Sequence, residues 1–166
     1  MKMTKTRAVV FTGTVAAVYA ALSLMPGISV LTFGPVQLRI AEALNVLALF
    51  TPWAIPALAL GCFLTNLASP MMAIDLPLGT LATLIAAIGT YLMRKKPALA
   101  LLAPVISNGL IVGSIVHFWV DSSFGLALNM ILVAVGEAAA CYLFGFPLYK
   151  AMKKYFKQNI FRERER

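Results

Sequence analysis

Seven polar side chains in an otherwise apolar sequence have the types and spacings to recognise a polar molecule: Gln37, Arg39, Glu42, Asn45, Asp75, Asn108 and Glu137. Arg39, Glu42 and Asn45 recur every three residues, so on an α-helix they fan over about 120° of one face. Such a face cannot point at lipid, because an intramembrane charge costs at least about 2.5 kcal/mol on insertion scales. It must meet a polar cavity or a partner helix. An Arg39 to Glu42 pair could lock helices together, the stripe could contact a solute, and both can hold at once. Glu137 has no cation within a helical turn and stands between Gly136 and Ala138-Ala139-Ala140. A carboxylate there needs an external donor or a bound proton, and its small neighbours let a helix or a flat ligand approach closely.

Asn108 lies about 16 Å up a helix that starts near Pro97, at a rise of about 1.5 Å per residue, which places it near mid-bilayer with Glu137. Gly109 and Gly113 beside it have the G-x-x-x-G spacing of helix packing. Asn66 and Asn129 read equally as interhelical glue or solute contacts. Asp75 reads as an exposed connecting residue, either solvated or able to touch a ligand. Trp119, beside Phe118 near the outer end of its helix, reads as part of an interfacial aromatic belt, and the lone His117 reads equally as structural or functional.

The chemistry is recognition and not bond making. The single histidine, His117, has no nucleophile beside it, and G-x-x-x-x-G-K-[ST], H-E-x-x-H and G-x-S-x-G are all absent. No catalytic residue or cofactor is expected. Cys62 and Cys141 stand singly in apolar surroundings, so no metal or redox site is expected either. If energy drives this protein, a partner supplies it.

The elements that must position these residues follow from composition. Of 166 residues, 61% are hydrophobic and only 12% charged, against about 25% charged in soluble domains, and mean hydropathy is +0.88. Stretches 8–38, 43–74, 76–93 and 97–120 carry no charge, and 122–149 carries only Glu137. Each is near or above the roughly 20 residues that span a bilayer. An all-α integral membrane protein follows, a single membrane domain over 1–166.

The net charge of +8 resides mostly at the helix ends. All but one of the 14 Lys and Arg fall in three clusters: Lys2, Lys5 and Arg7; Arg94, Lys95 and Lys96; and a tail over 150–166 with Lys150, Lys153, Lys154, Lys157, Arg162, Arg164 and Arg166. By the positive-inside rule all three are cytoplasmic, which argues against nucleic acid as the partner. The first span runs past 20 residues with no A-x-A cleavage pattern before Pro26 and reads as retained. Helices are expected at about 7–25, 36–51, 53–69, 76–93, 98–120 and 124–150, divided at Pro26-Gly27, Thr51-Pro52 and Pro97. Cytoplasmic clusters at both the amino terminus and 94–96 require an even number of crossings between them. Six transmembrane helices with both termini cytoplasmic satisfy this, and function is expected on the outer side. In the first helix, Ala16 with Ala20 and Ala17 with Ala21 form small-residue strips on which a second helix can dock.

The run Gly34-Pro35-Val36-Gln37-Leu38-Arg39-Ile40-Ala41-Glu42-Ala43-Leu44 resembles the V-Q-x-R-x-x-E-A-L signature of the queuosine-precursor transporter family QueT, and the likeness extends over nearly all of 8–150. The resemblance implies a substrate-binding S component of an energy-coupling-factor (ECF) importer in the bacterial cell membrane. Such a component captures its solute from outside without chemistry of its own, and the signature residues Gln37, Arg39 and Glu42 belong to its site. The solute would be a 7-deazaguanine such as preQ1, preQ0 or queuine, consistent with vitamin uptake. The partners would be a transmembrane coupling protein (EcfT type) docked on Ala16, Ala17, Ala20 and Ala21, and two cytoplasmic ATPases (EcfA type). An S component for another vitamin and a six-helix proton-coupled carrier or channel are the rival readings.

Overall fold

The computed structural model describes residues 4–33 and 37–164, with side chains described except at Val30, Leu31 and 156–164. Lys2, Gly34, Pro35, Val36, Glu165 and Arg166 lie outside the described residues, as do the side chains of Lys157, Arg162, Glu163 and Arg164. Among the described residues the fold is all-helical, without strands.

Helix α1 (Lys5–Leu24) starts at Thr4, whose side chain accepts from the Arg7 amide at 3.4 Å, and ends before Pro26-Gly27. Gly27 turns the chain at φ +86°, a left-handed conformation open to glycine, into the short α2 (Ile28–Thr32). A 3-10 helix follows over Ile40–Leu49, then α3 (Ala54–Asn66), α4 (Met72–Leu92) and α5 (Pro97–Val120). Finally α6 runs from Leu126–Ala138 through a π-helical stretch Ala139–Gly145 into Phe146–Arg164. Four of these are long and apolar enough to cross a membrane: Lys5–Leu24, Met72–Leu92, Pro97–Val120 and Leu126–Tyr155. Ile40–Leu49 and Ala54–Asn66 are shorter apolar helices.

The segment read from sequence as an α-helix over 36–51 is different in kind. Ile40–Leu49 winds as a 3-10 helix, and ten residues at about 2.0 Å each reach roughly 20 Å, where an α-helix of the same length reaches roughly 15 Å. It touches α1, α3, α4 and α6, so eight of its ten residues are buried. Around it α1 packs on α3, α3 on α4, α4 on α5 and α5 on α6.

Glycines make two of these approaches possible. A Cβ on Gly61 would lie 2.6 Å from the Tyr19 Cβ, so α1 and α3 meet in closest contact there. A Cβ on Gly113 would lie 2.5 Å from the Met130 Cα, and one on Gly109 would lie 3.0 Å from the Ala134 Cβ. The Gly109-x-x-x-Gly113 row is thus a packing seam between α5 and α6. The 121–125 connection is tied by Asn129, which donates to the carbonyls of Asp121 at 2.9 Å and Phe124 at 3.3 Å. Asp121 accepts from the Ser123 amide at 2.8 Å, and the Ser123 bonds hold its carboxyl below the usual carboxylate range.

Candidate functional site

The 3-10 winding changes what the triad does. At three residues per turn, side chains at i and i+3 eclipse, so Glu42 and Asn45 stand in single file along one edge of the 3-10 helix, with Arg39 just ahead of them at its N-cap in a non-helical conformation. That edge is wholly interior: Arg39 is 1% exposed, Glu42 and Asn45 0%. Just before it, Gln37 is buried and holds a left-handed backbone at φ 47°, rare for a residue with a side chain. Such strain persists only where the surroundings enforce it.

Glu42 is the most heavily hydrogen-bonded member. It accepts from the Tyr19 hydroxyl of α1, from the Asn45 amide and from the Thr83 hydroxyl of α4 at 3.0 Å. Arg39 points the other way. Its guanidinium reaches the Asn66 Oδ1 at 3.4 Å and the Cys62 sulfur at 3.7 Å, both on α3. Asn66 in turn donates to the Asp75 carbonyl at 2.7 Å, bracing α3 against the start of α4. Arg39 and Glu42 therefore hold different partners while remaining within each other's field.

Two further helices complete the cluster. The Cys141 thiol of α6 reaches the Glu42 backbone carbonyl at 3.8 Å. Glu137, one turn earlier on α6, feels the charges of both Glu42 and Arg39 and lies beside the Asn108 amide of α5. Asn108 is 0% and Glu137 1% exposed. Tyr19, Cys62, Asn66 and Thr83 also reach this centre.

Asp75, read from sequence as exposed, is buried. Helix α4 begins at Met72, earlier than the sequence pattern suggests, and a π turn over Asp75–Gly79 swings the carboxyl inward, where the Ser69 hydroxyl donates to it. The small-residue strips also separate. Ala16 is buried against α3 and Ala20 half-buried, while Ala17 and Ala21 are exposed and continue a row from Gly13, beside which space is open. Small residues every fourth position form one flat outward ridge at Gly13, Ala17 and Ala21.

The cluster is incompletely satisfied. Both amide atoms of Asn108, Oε2 of Glu137, Oδ1 of Asn45, Nε of Arg39, Oε1 of Gln37 and Oδ1 of Asp75 have no hydrogen-bond partner, although all are buried. An unpaired buried polar group costs about 1–3 kcal/mol in a protein interior. The unpartnered atoms of Asn108, Glu137, Asn45 and Arg39 leave hydrogen-bonding capacity unmet around Glu42. Among the described residues no set of three His, Cys, Asp or Glu could hold a metal ion. A groove of about 260 Å³ between α5 and α6 is lined by apolar side chains such as Ile106, Leu110, Met130 and Ile131, and offers no hydrogen-bonding group to a polar solute.

Comparison with known proteins adds a family. The QueT transporter family model matches residues 9–154. A curated relative from Lactococcus lactis subsp. cremoris (strain MG1363), named Queuosine precursor transporter QueT, is 39% identical over 85 residues, covering 51% of this chain and 50% of that protein. The chain thus spans about half the length of that curated relative. No solved structure matches.

Proposed function

We propose that this chain, which belongs to the QueT transporter family, is the substrate-binding S component of an ECF-type importer that captures a 7-deazaguanine queuosine precursor. The observation that carries the reading is the set of buried polar atoms without partners, above all the whole amide of Asn108 beside the free oxygen of Glu137. A 7-deazaguanine presents adjacent N–H donors on its guanine edge, which one carboxylate accepts in bidentate fashion, and a carbonyl that an amide N–H can bond. Glu137 and Asn108 supply the pair; Asn45, Gln37 and Arg39 offer further free atoms, Glu42 is the fixed carboxylate that orders the edge, and Asp75 closes the group near the start of α4.

The chain acts as one membrane domain, with six crossings of the bacterial cell membrane and both termini cytoplasmic. No chemical step is assigned to it. Its partners are an EcfT-type coupling protein, docked against the outward ridge of α1, and two EcfA-type ATPases that supply the energy. Ala17 and Ala21 carry the docking, and Ala16 and Ala20 seat α1 on the bundle. Uptake reconstituted in liposomes tests this: precursor should accumulate only with the coupling protein, both ATPases and ATP. Accumulation by the chain alone under a pH gradient would contradict the importer and support a carrier.

A further inference from the structure

The end of the bundle remote from Asp121 gathers positive charge on a fixed aromatic base. Helix α6 is longer than a bilayer requires: its apolar span Leu126–Tyr155 holds 30 residues, about 45 Å at a rise of about 1.5 Å, against a hydrocarbon core of about 30 Å. Lys150 and Lys153 therefore lie roughly 36 and 40 Å from Leu126, at the depth of the phospholipid headgroups. Helix α4 covers about 31 Å over Met72–Leu92 and delivers Arg94 to the same layer. Packing brings these segments to one end. The Tyr142 hydroxyl of α6 donates to the Ala98 carbonyl at the start of α5 at 2.6 Å, and Phe146 and Tyr149 pack on the core cluster that holds Ala100 and Leu101.

Rings, not carboxylates, place the cations there. The Lys150 ammonium stands 4.9 Å from the centroid of the Phe146 ring and the Lys153 ammonium 5.8 Å from that of Tyr149. The two rings stack at 6.0 Å, and Tyr149 meets Phe50 at 5.5 Å. The Arg94 guanidinium lies 4.1 Å over the Tyr91 ring. A ring face holds a cation in place without cancelling its charge. Of the acidic side chains described, Glu42, Asp75 and Glu137 are buried in the interior and Asp121 stands at the opposite end. In the tail, Glu163 and Glu165 alternate with Arg162, Arg164 and Arg166. Lys150 and Lys153 are three residues apart on one helix, hence about 5–6 Å apart at their Cβ atoms, so both ammonium groups can reach one phosphate.

Independently of the solute, we propose that this end of the chain binds the headgroup of one anionic phospholipid, with its phosphodiester held by Lys150 and Lys153. Arg94, Lys95 and Lys96 add attraction from the neighbouring helix ends. A choline headgroup would set its own cation against these lysines, whereas a glycerol headgroup carries none. The lysines stand at headgroup depth, where a lipid meets them directly and a soluble acidic protein does not.

The test is native mass spectrometry of the full chain in detergent, titrated with phosphatidylglycerol and with phosphatidylcholine of the same acyl chains. Phosphatidylglycerol should bind one per chain and at least about tenfold more tightly, and Lys150→Gln combined with Lys153→Gln should remove that preference, each cation near an anionic headgroup contributing severalfold. Lys150→Arg combined with Lys153→Arg should retain it. Lys5→Gln combined with Arg7→Gln, an equal loss of charge at the start of α1, should leave it within a fewfold; a loss as large as that of the first pair would make the attraction diffuse and remove the site. Equal affinities for the two lipids overturn the proposal. So does full displacement of phosphatidylglycerol by inorganic phosphate, which would mark a free-anion site. Binding of polyglutamate to the chain in phosphatidylcholine nanodiscs, with no preference between the lipids, would make this end a docking face for an acidic protein and likewise overturn it.

Discussion

Asn108 offers the sharpest separation of binding from stability. Its amide is buried with neither atom bonded, so replacing it with the similarly sized Leu removes an unpaired polar group worth about 1–3 kcal/mol. Asn108→Leu should raise the unfolding temperature of the ligand-free chain while weakening precursor binding at least about tenfold. A lowered melting temperature with unchanged binding would make Asn108 structural. Tyr19 behaves oppositely. Its hydroxyl donates to Glu42, so Tyr19→Phe leaves a buried carboxylate one donor short and should cost about 1–3 kcal/mol in thermal unfolding. Arg39, Glu42 and Glu137 stand out in sequence because charges interrupt apolar runs. Tyr19, Thr83 and Cys62 do not, since a tyrosine, threonine or cysteine in an apolar helix reads as ordinary filling.

Among the elements, the 3-10 helix is the one whose geometry matters most to the site. The three-residue spacing of Glu42 and Asn45 is the one local trace of it, because three residues per turn brings that pair into line, whereas Arg39 stands at the N-cap outside the winding. A pattern of buried apolar residues cannot separate 3-10 from α over ten positions enclosed on every side. The inward turn of Asp75 was similarly illegible, depending on a π turn and on Ser69, which nothing local in the sequence announces. Proline and the charged clusters did mark the long helices, since both act within a residue or two of a boundary. The α5 to α6 seam yields its own prediction. A methyl at Gly113 would meet the Met130 backbone at 2.5 Å, which cannot yield as a flexible side-chain tip can. Gly113→Ala should therefore destabilise the chain by about 1–3 kcal/mol, whereas Gly13→Ala, with open space beside it inside α1, should raise the unfolding temperature slightly, alanine being favoured over glycine in a helix interior by about 0.5–1 kcal/mol.

For the whole molecule, two faces of one helix bear on the transport reading. Helix α1 presents Tyr19 inward to Glu42 and the Gly13, Ala17 and Ala21 ridge outward. A bulky residue on the ridge should separate capture from transport: Ala17→Trp is expected to bind precursor normally in the purified chain yet fail to assemble with the coupling protein, read by co-purification and by loss of ATP-driven uptake. Normal assembly of that variant would place the docking face elsewhere. The alanine spacing alone could not choose between the Ala16 with Ala20 and Ala17 with Ala21 strips, because only tertiary packing decides which turns to the bundle.

The central claim is that the unpartnered atoms around Asn108 and Glu137 are the recognition surface for a 7-deazaguanine. Calorimetric titration of the detergent-purified chain with 7-aminomethyl-7-deazaguanine and with guanine tests it most directly. One ligand per chain at nanomolar affinity, about −12 kcal/mol, with guanine markedly weaker, is the predicted result; no binding of the 7-deazaguanine, or equal affinity for guanine, would contradict it.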